Sequence, residues 1–284
     1  MQTTLSIVLV GLSLGLSPSL SPPSAVAGTL EPAAVLNNQA AALADEERYI
    51  EAETRYRAAI RLIEQEHGVG APALAQPLNN LAIVHRRLGR LRDAERGYLR
   101  SLAIREGADD ASGASLVRVN LARLYMQQGR REEAERMLDE ADRDGAVRAA
   151  SLHTRGALLL HAGRFGQAAD CAEAARQAWG KRGRTLEAAQ ARGMRGEALR
   201  LAGRFVEAHV ELAGALRDLR AVLGGSHPEV GRVLIAYGEA LRAAGEKRRG
   251  RRLRADGRAI LAAAPDRVAR EHIVEVRAGY TRSR

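Results

Sequence analysis

Leu78 to Arg105 reads LNNLAIVHRRLGRLRDAERGYLRSLAIR, and this stretch decides the fold. Leu78, Leu81 and Leu88 fall on one side of a helix, at spacings of three and seven. Leu91, Ala94, Tyr98, Leu102 and Ile104 mark a second helix near the same 3.6-residue period. Gly89 separates them, because a residue without a Cβ takes the positive φ that ends a helix and folds the chain back. Ala82 and Ala94 stand where the two helices press closest, and a larger side chain at either would wedge them apart.

The unit recurs. Gly129, Gly163, Gly203 and Gly245 are counterparts of Gly89, and Glu47 holds the same slot at the front. The slots lie 42, 40, 34, 40 and 42 residues apart. The first five are followed by Arg and, five residues after the slot, by Ala52, Ala94, Ala134, Ala168 and Ala208. Tyr49, Leu91, Phe165 and Phe205 sit two after the turn. Self-similarity at this period predicts stacked helix pairs, since one hairpin cannot bury its own apolar face.

The order small residue, turn glycine, alanine resembles the tetratricopeptide repeat. Ala82, Gly89 and Ala94 carry it, as do Ala122, Gly129 and Ala134; Gly156, Gly163 and Ala168; and Gly196, Gly203 and Ala208. The longer units, with LNNLA at 78–82 and LGGSHP at 223–228, are similar to the kinesin-light-chain type of that repeat. The resemblance spans residues 33 to 262. It implies an all-α fold, a right-handed α-solenoid of about six stacked helix-turn-helix repeats. It also implies a non-catalytic protein–protein interaction scaffold, binding an extended peptide segment in its concave groove.

The remainder of the chain divides around that array. The chain has 284 residues, 27% charged and 46% hydrophobic, which is a folded rather than a disordered composition. Residues 1–27 read as a signal peptide. A short apolar run, Leu5 to Leu16, is followed by prolines and then Ala25-Val26-Ala27, with cleavage expected after Ala27. The product is expected to be exported, periplasmic or secreted; an uncleaved anchor or a structureless leader are the alternatives. Residues 28–32 form a short linker, 33–264 the repeats with the last one degenerate, and 265–284 a tail in which Ile273 to Val276 suits an extended segment. A loop is expected over Gly107 to Gly113, and a soft junction in repeat five, where Arg192 and Arg195 occupy leucine slots.

Chemistry-bearing patterns are few. The seven histidines form no H-x3-H pair, and Cys171 is the one cysteine. No nucleophile elbow, phosphate loop or dinucleotide fingerprint occurs. No enzyme activity, cofactor or metal is therefore expected. Asn38, Asn80 and Asn120, each nine residues before its turn, form a ladder along the first helices of repeats one to three. An amide side chain offers both a donor and an acceptor to a peptide backbone. In the family resembled, asparagines at this slot hold the ligand backbone. Ile83, Arg87, Arg123 and Gln127 share that face and suit a partner with acidic character. The alternative is that these amides bond only to neighbouring helices. Net charge is +10, concentrated between Arg242 and Arg258, where eight basic residues meet two acidic ones. Lys247, Arg248, Arg249, Arg251, Arg252 and Arg254 form this basic patch. It reads either as a solvated capping face or as a dock for an anionic membrane surface or acidic partner, the basis of an alternative role in envelope assembly. With 3% aromatic residues there is little for bases to stack on, so nucleic acid is not the expected partner.

Overall fold

The structure, a computed structural model, describes residues 24–142 and 147–263, with side chains from Leu30 onward. The described residues hold twelve α-helices: α1 (Ser24–Asp45), α2 (Tyr49–His67), α3 (Ala75–Arg87), α4 (Leu91–Gly107), α5 (Ala111–Gln127), α6 (Arg131–Ala141), α7 (Arg148–His161), α8 (Phe165–Gly180), α9 (Thr185–Leu201), α10 (Phe205–Leu223), α11 (Pro228–Ala243) and α12 (Lys247–Ala263). A single 3-10 turn, Pro72–Leu74, leads into α3. They fall into two compact units divided between Val147 and Arg148, with α1–α6 in the first and α7–α12 in the second. Within each unit every helix packs on the next, and each odd-numbered helix also touches the next odd one. The fold is all-α, built of stacked helical hairpins, as the periodicity predicts.

All six turns fall where the sequence places them. Gly89, Gly129, Gly163, Gly203 and Gly245 have φ between 73 and 95°, and Glu47 adopts the same conformation at φ 59°. A non-glycine residue there costs about 1–2 kcal/mol. The turn is closed by two backbone bonds: Gly89 N–H to Arg86 C=O (3.1 Å) and Arg90 N–H to His85 C=O (2.9 Å). Arg48 N–H to Leu43 C=O (2.8 Å) repeats the second bond at the Glu47 turn. The turn arginine then reaches three residues on, as in Arg48–Glu51, Arg130–Glu133 and Arg204–Glu207. The last turn reverses this polarity, with Glu246 accepting from Arg249 (3.2 Å).

The same turn also joins repeats, which the sequence reading does not anticipate. The expected loop at 107–113 shrinks to three residues. Asp109 takes φ 54°, Asp110 N–H returns to Arg105 C=O (2.9 Å), and the Asp110 carboxylate caps α5 by accepting from Gly113 N–H (2.8 Å). Gly183 and Arg184 do likewise before α9.

Each hairpin closes on its small residues. Ala52, Ala94, Ala134, Ala168 and Ala208 have no exposed surface, nor do Ala40, Ala82 and Ala122 opposite the first three of them. A Cβ added at Gly196 would meet Leu212 Cγ at 2.6 Å. In the last hairpin both partners are glycine. A Cβ on Gly238 would meet Gly250 C=O at 2.6 Å and one on Gly231 would meet Gly257 C=O at 2.9 Å; the reverse substitutions clash in the same way. Gly250, five residues after Gly245 where the other repeats carry alanine, is thus half of a backbone-to-backbone contact.

Two further expectations are revised. Residues 28–32, expected as a linker, lie inside α1, which carries Pro32 within it. The soft junction of repeat five is bridged instead: Arg192 pairs with Glu211 (3.1 Å) and Asp218 (3.0 Å), and Arg195 with Glu211 and Glu173. Arginine in a leucine slot is accommodated because its guanidinium reaches past the apolar layer to carboxylates on α8 and α10. The leader up to Pro23 and the tail, including Ile273 to Val276, lie outside the described residues.

Candidate functional site

The odd helices of the first unit carry the asparagine ladder, but its three members differ. Asn38 is exposed, Asn80 half-buried and Asn120 buried. One residue earlier, Asn37 and Asn79 are buried as well. The amides form a directed chain across two repeats. Arg123 Nη1 donates to Asn120 Oδ1 (3.4 Å), Asn120 Nδ2 to Asn79 Oδ1 (3.0 Å), and Asn79 Nδ2 to Asn80 Oδ1 (3.3 Å). The Asn80 side chain in turn meets the Tyr56 hydroxyl. Asn37 Nδ2 reaches Asn38 Oδ1 at 3.4 Å. Asn120 therefore sits beneath the face and holds Arg123, while Asn38 and Asn80 retain access to solvent.

Around this chain the face is cationic and apolar. Ile83, Arg86, Arg87 and Arg123 are half-buried and Gln127 is exposed. Arg86 and Arg87 end α3, one helical turn before Gly89, and Arg123 faces them from α5. Tyr98 of α4 is wholly buried below, its hydroxyl against Arg86. Burial, then the charges of Arg86 and Arg87, push the Arg123 guanidinium down to about 9. Burial raises the Tyr98 hydroxyl, with Arg86 acting the other way.

Two other arginines of the first unit, Arg90 and Arg130, tie one repeat to the one before it. Glu53 on α2 accepts from Arg90 (2.8 Å), Arg57 (2.7 Å) and His85 (3.3 Å). Burial pushes its carboxyl up, but His85, Arg90 and Arg57 outweigh it and hold it below the ordinary range. The equivalent residue one repeat on, Glu95, accepts from Arg130 (2.7 Å), whose guanidinium also stacks 4.1 Å from the Tyr125 ring.

In the second unit the sequence-expected patch forms the outer face of α12. Lys247, Arg248, Arg249, Arg251 and Arg252 are exposed, and Arg254 is half-buried. Arg249 alone of the six makes an ion pair with a described residue, Glu246 (3.2 Å). Inward, Tyr237 hydroxyl lies 3.3 Å from His209 Nδ1 and 3.5 Å from Arg249 Nη2. Among the described residues no group of three His, Cys, Asp or Glu converges as metal ligands. Arg86, Asn79 and Tyr98 are the site residues that sequence reasoning misses. The Arg86–Arg87 doublet was the available signal; Asn79 and Tyr98 read only as a neighbour and a core residue.

Residues 31–107 and 98–156 match two profiles of the tetratricopeptide repeat. No curated protein matches the chain. Among solved structures, BtubC (BKLC) from P. vanneervenii is similar at TM-score 0.62 and 19% identity, covering 84% of this chain and 96% of that one. Pseudomonas aeruginosa pilF is similar at 0.59 and 16%, covering 87% and 99%. A Rap protein complexed with competence and sporulation factor is similar at 0.64 and 14%, covering 87% and 72%. At these identities the likeness is one of fold.

Proposed function

Starting from a chain that belongs to the tetratricopeptide-repeat proteins, we propose that it is a non-catalytic scaffold. It binds an extended peptide segment with acidic character in the groove lined by α1, α3 and α5. The observation that carries this reading is the face itself. Asn38, Asn80, Ile83, Arg87, Arg123 and Gln127 come from successive odd helices that touch one another, and each retains exposed surface. Asn80 offers amide groups to a peptide backbone, Ile83 an apolar seat, and the arginines a complement to acidic side chains. A protein of similar fold, the Rap protein, is complexed with competence and sporulation factor.

The test is a random dodecapeptide library displayed on phage and selected on the full chain. Selected clones are expected to be enriched in Asp and Glu, and to bind Asn80→Ala or Arg87→Gln at least about tenfold more weakly. Clones that bind both variants as well as the parent would remove the groove reading.

A second reading rests on α12, where five of the six patch cations make no ion pair with a described residue. In it the basic end docks the chain on an anionic surface, in an envelope-assembly role. Reversal to Glu at Arg248 and Arg252 would then abolish binding to vesicles rich in phosphatidylglycerol, while Asn80→Ala leaves it intact. The same proposal places the protein outside the cytoplasm, after cleavage near Ala27. Amino-terminal sequencing of the native protein tests this, with Gly28 as the expected first residue.

A further inference from the structure

Glu187 and Glu229 hold the same position in consecutive repeats, sixteen residues before the turn glycines Gly203 and Gly245. Both are buried. Arg184, three residues ahead of Glu187, pairs with it. At that place before Glu229 stands Ser226, which brings no charge. Glu229 meets an amide instead: Gln190 Nε2 on α9 donates to Glu229 Oε2 (3.1 Å). Both side chains are closed off from water, with 3% of Glu229 and 1% of Gln190 exposed. The other atom of the amide, Gln190 Oε1, is buried and accepts from nothing among the described residues. A carboxylate cannot fill that vacancy, because an ionised carboxyl only accepts; a protonated one carries an O–H and can donate.

We propose that Gln190 and Glu229 form a proton-operated latch that seats the last hairpin, α11–α12, on α9. The Glu229 carboxylate takes one proton from solvent, and the resulting O–H donates to Gln190 Oε1 while Gln190 Nε2 continues to donate to Oε2. Two hydrogen bonds then join α9 to α11 where the ionised form makes one, and the pair buries no charge. Burial pushes the Glu229 carboxyl up, and among the described residues Arg232, on the same helix, is the one charge that opposes it. His227 touches the pair through the backbone, its Nδ1 accepting from Glu229 N–H (3.2 Å). The neighbouring core is apolar: Leu216 and Leu219 of α10 cluster with Val230, and Ile260 of α12 lies against Gly231. With a raised carboxyl, the latch's contribution is complete below the unfolded value of 4.5 and is lost as pH rises through the folded one. His227 has the opposite sign: burial, then Arg232, push its imidazole down, so its cap is lost as pH falls. Variants at residue 229 alone separate the two. The latch does not depend on which face of the repeats takes a ligand.

The experiment follows the full chain by carbon NMR of labelled glutamate and by amide hydrogen exchange, expressed as protection over free-peptide rates. The resonance missing from Glu229→Gln is that of the Glu229 carboxyl, and in the parent it is expected to titrate above 4.5. Relative to Glu229→Gln, the parent's α11 and α12 should lose at least about fivefold in protection between about pH 5 and about pH 8, with the same midpoint. Glu229→Gln makes both bonds at any pH, so it should keep the higher protection throughout. Glu229→Leu fills the space but bonds nothing, and at about pH 5 its α11 should exchange faster than the parent's. A Glu229 carboxyl that titrates at or below 4.5, or a parent that tracks Glu229→Gln at both pH values, would overturn the latch. So would a Glu229→Leu protein protected as well as the parent in acid, since burial alone would then account for the titration.

Discussion

Two buried carboxylates, one in each unit, are met in opposite ways. In the first, Glu53 lies under three cationic partners and its carboxyl is held low, while Arg86, Arg87 and Arg123 are half-buried on α3 and α5. In the second, Glu229 meets a neutral partner, Gln190 Nε2 at 3.1 Å, whereas the other buried carboxylates there, Glu187 and Glu197, pair with Arg184 and Arg200. Burial therefore pushes the Glu229 carboxyl up, with Gln190 and Arg232 opposing. The second unit's surplus cations are spread along the solvated face of α12. The cationic faces of the two units thus differ in placement rather than in number. Arg86, Arg87 and Arg123 at the α3–α5 contact are half-buried. Those on α12 are already hydrated and gain little from any one partner.

The largest expected effect breaks the second unit's side of this contrast. Gly250→Val drives a side chain into the Gly238 carbonyl and should cost about 3 kcal/mol or more. Hydrogen exchange would report α12 opening ahead of α11, with α3–α5 unaffected. If α12 keeps its protection, the glycine contact is not what seats it.

Next in size, Glu53→Gln removes the anion under Arg90, Arg57 and His85 and should cost about 2 kcal/mol at pH 7. The sign follows from a depressed carboxyl. Its contribution is present above the unfolded value of 4.5 and is lost as pH falls below that value toward the folded one. Parent and variant should converge in acid denaturation curves. Glu229→Gln sharpens the comparison by going the other way. With a raised carboxyl the penalty is absent below 4.5 and grows as pH rises above it. The variant should therefore be more stable at pH 7 by about 1 kcal/mol and indistinguishable at pH 4. Parallel pH profiles for the two variants would erase the distinction drawn between the two carboxylates. Smallest of all, Arg251→Gln on α12 should leave thermal unfolding unchanged, since Arg251 is exposed and makes no ion pair with a described residue.

The fold was legible because its determinants are local. A positive φ at one slot and a small residue five positions later are written in single residues, and even Glu47 keeps the slot despite its side chain. The inter-repeat turn at Asp109 escaped notice because aspartate carries no such signature until its neighbour is seen capping α5. The site was legible in position but not in depth. Periodicity placed Asn38, Asn80 and Asn120 on one face. Their burial depends on how far each stacked helix covers the last, which no spacing encodes. Arg86 shows the same limit: its charge is plain in the sequence, but its buried Nε–H depends on Tyr98 and Arg123, on two other helices.

The most direct test of the account is amide hydrogen exchange of the full chain with and without a saturating acidic dodecapeptide taken from the phage selection. Slowed exchange in α3 and α5, lost in Arg87→Gln, is the expected result. Slowed exchange confined to α12, with α3 and α5 unchanged, would contradict it.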